Sequence, residues 1–223
     1  MASCQCQGIE REFSEQFTIR ELTSYRRKGA SRTTRMLTSA LKAENLEGGT
    51  LLDIGGGLGA IPHILLAAGM RSATCVEASS AYAVAAAREA RRRDLSERVE
   101  QMQGDFVELA PRVGQHDVVT LDRVICCYDD LDSLVGLSGS KARRLYGLVF
   151  PRETWWIRLG MWLLNATMRV RRSSYRSYLH STERLEALLT GMGFTRRFAE
   201  HTALWQVRVY ARQATQGQGG RGE

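Results

Sequence analysis

From Thr50 onward the chain alternates short apolar runs with longer stretches of helical period. Thr50–Ile54, Ser72–Glu77, Val99–Met102, His116–Leu121 and Leu145–Phe150 have the length and apolar character of strands. Between them, Ile61–Ala68 is apolar and of helical length, and Ser80–Arg93 is an alanine-rich helix ending in Arg91-Arg92-Arg93. Leu131–Leu145 holds a further helix. Alternation at this spacing is the mark of βαβ units, so the expected fold is α/β, a mostly parallel open sheet with helices on both faces. The end of the chain departs from this pattern. Phe194–Ala199 and Leu204–Ala211 are split by a few residues, so they can pair as an antiparallel C-terminal hairpin and complete a seven-stranded sheet.

Outside this core the pattern changes twice. Phe13, Phe17, Leu22 and Tyr25 recur at helical intervals, Gly29 interrupts, and Met36, Leu37, Ala40 and Leu41 resume the period, which predicts two covering helices. Glu153–Leu179 reads as an insertion carrying a helix with a wide apolar surface and a narrow polar stripe of Thr154, Arg158, Asn165 and Arg169. The expected organisation is a helical cover over 1–48, an α/β core over 49–151, a substrate-side insertion or lid over 152–180, and a closing helix and strands over 181–212. A Gly- and Gln-rich tail over 213–223 is expected to be disordered. At 223 residues this is one domain with an elaboration. No run approaches the ~18 apolar residues of a membrane span.

The strongest local signal is Leu51-Leu52-Asp53-Ile54-Gly55-Gly56-Gly57-Leu58-Gly59, a strand that enters glycines and then a helix. Such a turn lets backbone approach a ligand without a Cβ in the way. Gly55, Gly57 and Ala60 satisfy the dinucleotide fingerprint, so the glycines alone leave a dinucleotide such as NAD open. Asp53, two residues before Gly55, together with Gly57 and Gly59, is more similar to the first motif of class I S-adenosylmethionine-dependent methyltransferases. Glu77 ends the second strand, where an acid can accept from ribose hydroxyls. The resemblance implies a Rossmann-like methyltransferase fold and S-adenosylmethionine as cofactor. It implies further that Asp105 receives the adenine amino group with Phe106 packed on the ring, and that Asp122 lies near the methionine portion. Tyr25-Arg26-Arg27-Lys28-Gly29 and Thr34-Arg35 look like the N-terminal element that covers the cofactor in many small-molecule members, which brings in Tyr25 and Arg35. With the insertion, that element also resembles, more loosely, the magnesium-protoporphyrin O-methyltransferase group.

In an open α/β sheet ligands bind beyond the carboxyl ends of the strands. This directs attention to Arg123 and Tyr128 after the fourth strand, and to Arg152, Trp155 and Trp156 after the fifth. His180 precedes a helix start capped by Ser181 or Thr182 and is expected at the pocket rim. Arg123 suits a role in orienting a carboxylate acceptor, whereas His180 or Tyr128 suits proton acceptance from a hydroxyl. His116 begins its strand at the opposite rim, and His63 is expected to pack in the core.

Charge sharpens the acceptor class. The 31 basic groups are 28 Arg and 3 Lys; residues 1–140 hold 16 basic and 19 acidic groups, and residues 141–223 hold 15 basic and 5 acidic. A basic last third points to an anionic partner, either a small acidic or amphipathic molecule or a membrane surface. An RNA or DNA substrate also fits the charge, but Asp122-Arg123-Val124-Ile125 stands where amino-methylating enzymes carry Asp-Pro-Pro-Tyr. A protein that binds the cofactor without catalysis is the non-enzyme alternative. Cys4, Cys6, Cys75, Cys126 and Cys127 lack the Cys-x2-Cys pairing of a zinc site, so no metal is expected, and free thiols without a recognisable signal peptide are expected in a cytoplasmic setting. Oligomeric state is not legible.

Overall fold

The computed structural model describes residues 8, 10 and 12–213. Helices α1 (Glu15–Lys28) and α2 (Arg32–Lys42) come first, and then β1 (Thr50–Ile54), α3 (Ala60–Ala67), β2 (Ser72–Glu77), α4 (Ser80–Arg92) and β3 (Val99–Gln103). These lead to α5 (Phe106–Leu109), β4 (His116–Asp122), α6 (Leu131–Lys141) and β5 (Ala142–Pro151). The chain continues through α7 (Trp155–Val170), α8 (Thr182–Gly191), β6 (Phe194–His201) and β7 (Trp205–Arg212). The sheet order is β3-β2-β1-β4-β5-β7-β6. β1 to β5 run parallel, and β7 pairs antiparallel with both β5 and β6.

The uninterrupted apolar runs have a direct cause, because both faces of the sheet are covered. Leu52, Val119, Tyr146 and Leu148 project into one core with Leu134, Leu185 and Phe194. Their chain neighbours Leu51, Val118, Leu145 and Val149 project into the other with Leu37, Leu41 and Leu65. Strand side chains alternate faces, so each adjacent pair feeds both layers. At Gly147 a Cβ would stand 2.9 Å from Leu37 Cδ1 and 3.4 Å from Thr120 Cγ2, so glycine lets α2 close on the sheet.

The main departure from the sequence reading lies between α6 and β5. The helix stops at Lys141 and the strand begins at Ala142 with no loop, three residues earlier than its apolar pattern starts. Ala142 turns extended (φ −87°, ψ 116°) and pairs beside His116, and Arg143 and Arg144 are exposed, which hides this part of the strand from an apolar count. The short α5 had no signal beyond its cap. Among the described residues, no helix is long and apolar enough to cross a membrane. Cys4, Cys6 and all but Gln213 of the expected tail lie outside the described residues.

Candidate active site

Between β1 and β4 the strand order reverses, which opens a crevice at the carboxyl edge of the sheet. β1 delivers the glycine loop into it. Gly55 has φ +63°, and a Cβ there would lie 2.5 Å from Val124 Cγ2, so the turn demands glycine. Gly57, at φ +53°, donates its N–H to Glu77 Oε2 at 2.9 Å, and Ser79 N–H donates to Glu77 Oε1 at 2.9 Å. One carboxylate thereby ties the loop after β1 to the start of α4. Burial raises the Glu77 pKa even though these backbone donors favour its charged form.

Asp53 sits directly below the loop, fully buried and in register with Thr120 of β4. Thr120 Oγ1 donates to Asp53 Oδ1 at 2.6 Å, whereas Oδ2, beneath Gly56, has no hydrogen-bond partner among the described residues. Desolvation pushes Asp53 up to about 8, with Asp122 and Glu77 adding like-charge repulsion. Thr120 was missed in the sequence, although a polar residue inside Val118-Val119-Thr120-Leu121 was its visible signal.

After β3, Asp105 caps α5 by accepting from Val107 N–H at 2.9 Å, and the Tyr128 hydroxyl donates to the same carboxylate at 2.9 and 3.0 Å. This corrects the expectation for Tyr128, whose phenol proton already serves Asp105. Phe106 is corrected as well. As the first residue of α5 it turns inward and is buried with Leu52, Ile54, Val76 and Val119, so it is not a face for a ligand ring. At the end of β4, Asp122 accepts from Thr34 Oγ1 at 2.5 Å and from Arg123 Nε at 3.0 Å. Arg123 takes a left-handed backbone (φ 63°), held by its N–H on the Val149 carbonyl at 2.8 Å.

Two segments cover this edge. Near the N-terminus, Phe13 packs against Tyr82 at 5.7 Å and edge-on to Tyr175 at 6.2 Å, and its carbonyl accepts from Ser79 Oγ. Glu10 accepts from Ser80 N–H, and the Tyr82 hydroxyl donates to Glu21 at 2.6 Å. Arg26 joins Arg92 and Arg93 on the buried Glu89 carboxylate, locking α1 to α4. Tyr25 lies over His63 with its hydroxyl 3.1 Å from Nδ1, and Arg93 stands 5.3 Å from the Tyr25 ring centroid. Burial holds His63 down to about 4, so it is neutral at pH 7, in line with a packing role. Arg35 is exposed and donates to the Ala30 carbonyl of its own loop.

From the other side, the chain after α7 folds back over the loop that follows β4. Asn165 clamps Ser177 through both backbone groups, Tyr178 N–H donates to the Cys126 carbonyl at 2.7 Å, and the Tyr175 hydroxyl lies 3.1 Å from Cys127 Sγ. Cys126 is buried and Cys127 half-buried. His180 Nε2 lies 2.7 Å from the Tyr128 carbonyl. A carbonyl only accepts, so Nε2 carries the hydrogen and, in the neutral ring, Nδ1 holds the lone pair. Ser181 is the cap of α8, accepting from Arg184 N–H. Arg152 bonds the Thr202 carbonyl at 3.3 Å, whereas Trp155 and Trp156 begin α7 with exposed rings. His116 sits at the opposite rim, 3.2 Å from Thr74 Oγ1.

Residues 20–121 match the family model for the methyltransferase small domain. No curated protein matches the chain by sequence. Among solved structures, magnesium protoporphyrin IX methyltransferase from Synechocystis PCC 6803, with bound S-adenosylhomocysteine, superposes at a TM-score of 0.75 with 19% identity, covering 94% of this chain and 100% of that one. The fold is that of the class I S-adenosylmethionine-dependent methyltransferase superfamily. The same fold recurs in other solved methyltransferase structures. Mitomycin 7-O-methyltransferase aligns at 0.60 with 19% identity over 83% of this chain and 56% of that one. A putative RNA methyltransferase from Pyrococcus horikoshii aligns at 0.54 with 11% identity over 82% of this chain and 81% of that one. The methyltransferase fold places the glycine loop, Glu77, Asp105 and Asp122 at successive strand ends of one sheet edge, as their spacing in the sequence predicts.

Proposed function

We propose that this chain transfers a methyl group from S-adenosylmethionine to an oxygen of a small anionic or amphipathic molecule. The observation that carries the reading is the convergence of Glu77, Asp105 and Asp122 at one sheet edge around a glycine turn, with Asp53 buried beneath it, an acidic cradle for a cationic nucleoside. The residues fit such a group. Glu77 accepts backbone N–H groups from Gly57 and Ser79 and keeps lone-pair capacity for a ribose hydroxyl. Asp105, fixed by Val107 and Tyr128, is a preset acceptor for an amino group. When bound, the cofactor supplies a sulfonium-activated methyl group.

The protein's part is then orientation and exclusion of water. Phe13, Tyr82 and Tyr175 form an aromatic wall beside the glycine loop. Arg123 and Arg152 supply cations for an acceptor carboxylate. For a hydroxyl acceptor, His180 Nδ1 takes the proton, with its ring pinned by the Tyr128 carbonyl. The basic last third favours an acidic acceptor.

Calorimetry with S-adenosylhomocysteine tests the cofactor. Glu77→Gln puts an amide where two backbone donors meet a carboxylate, and binding is expected to weaken about 10- to 100-fold. Unchanged affinity overturns the assignment. Labelled methyl donor incubated with small-molecule, lipid and RNA pools reads the acceptor, and label confined to RNA refutes the small-molecule reading.

A further inference from the structure

Helix α7 presents an outer face that the fold does not use. It packs inward through Ile157 (7% exposed) and Met168 (9%). At about 100° per residue the opposite side is a continuous arc of roughly 120° formed by Trp162, Trp155, Leu159, Val170, Leu163 and Trp156, with Ala166 between them. Nothing polar interrupts it. Trp155, Trp162 and Val170 are 77%, 64% and 85% exposed. One exposed Leu or Trp needs no explanation, but a contiguous stripe of six on one helix marks an interaction surface.

The charges around the stripe indicate what covers it. Arg158 and Arg169 flank it next to Trp162, and Arg171, Arg172 and Arg176 follow at the C-terminal end. From Trp155 to Ser181 there is no Asp or Glu. Pairing two copies through this face would bring arginines against arginines with no acid of the segment to neutralise them. The residues outside the described ones include only Met1 and Ile9 as large apolar side chains, too few to cover three tryptophans and three aliphatics. Tryptophan and leucine beside arginine, with all charge of one sign, is the chemistry of a helix lying in a lipid interface.

We infer that α7 docks the protein on anionic lipid membranes, its Trp155–Val170 apolar stripe entering the headgroup region and its flanking arginines pairing with lipid phosphates. Because α7 follows β5 at the carboxyl edge of the sheet, docking brings the crevice to the membrane surface. The inference rests on surface chemistry and stands whatever the reaction is.

Flotation of the full chain with phosphatidylcholine vesicles, with and without phosphatidylglycerol, tests it, with tryptophan emission as a second readout. The expected result is flotation and a blue shift with anionic vesicles, weakened by high salt, and little of either with phosphatidylcholine alone. Trp162→Ser with Leu163→Ser removes exposed apolar area and is expected to cut partition at least tenfold while circular dichroism and Tm are unchanged. Arg169→Gln, Arg171→Gln and Arg172→Gln together reduce partition about fivefold per arginine and flatten the salt dependence. Absence of flotation, equal flotation of the Trp162/Leu163 variant, or a dimer whose tryptophans are already shielded without vesicles overturns the inference.

Discussion

Asp53→Asn isolates the electrostatics under the glycine loop. Asp53 is fully buried, has one donor on one oxygen and none on the other, and faces Glu77 and Asp122, so its pKa rises from an ordinary 3.8 to about 8. The folded state therefore holds a proton that the unfolded chain has released between these values, and stability falls as pH rises from about 4 to about 8. At about 1.4 kcal/mol per pH unit, the loss over that window is about 5 kcal/mol. Asparagine keeps the shape and removes the charge, but leaves buried amide hydrogens short of acceptors at about 1–3 kcal/mol. The variant is thus expected to be about 1–3 kcal/mol less stable than the parent at pH 4 and about 2–4 kcal/mol more stable at pH 9. The high-pH gain corresponds to roughly 5–15 °C in Tm for a chain of this size. Urea or thermal unfolding of both proteins from pH 4 to 9 measures the difference, in which other titrating groups cancel. A difference that stays constant across the range refutes a titrating, desolvated Asp53.

Three further outcomes follow from the same geometry. Glu89 receives Arg26, Arg92 and Arg93, which hold its pKa down to about 2; the stability this contributes is present above about 4.5 and is lost as pH falls through about 2. Because those arginines are partly solvated, Glu89→Ala is expected to cost about 1–2 kcal/mol at pH 7 and less in high salt, read from denaturant midpoints. Gly147→Ala forces a methyl against Leu37 and Thr120 and is expected to cost about 1–3 kcal/mol in urea unfolding; a neutral result means α2 can shift outward freely. Thr34→Val removes the hydroxyl that donates to Asp122, so affinity for S-adenosylhomocysteine is expected to fall about 3- to 15-fold with Tm nearly unchanged, as calorimetry and melting would show.

The glycine loop and the acids behind it were legible because their positions are local. A strand that ends in Gly55, Gly57 and Gly59, and acids that close the next strands, carry the same meaning in one dimension as in three. Residues whose partners are distant in sequence were not legible in the same way. Tyr128 looked available as a proton acceptor until the fold placed Asp105 within 2.9 Å of it. Phe106 looked like a stacking face until a one-residue cap turned it into the core. Arg35 fell in a plausible motif, yet its nearest acceptor is a carbonyl of its own loop.

Period and length by themselves determined the α/β alternation, the parallel core and the antiparallel closing hairpin, because strand and helix periodicities express which faces must be buried. The basic bias of the last third was likewise plain from residue counts. Only the tertiary structure decided which apolar surface of α7 is spent on the fold and which is left over. A helix wheel shows apolar residues nearly all round, and burial of Ile157 and Met168 selects one side, leaving the tryptophan stripe in solvent. That choice depends on how α7 sits against the domain, a relation between segments that no local pattern encodes.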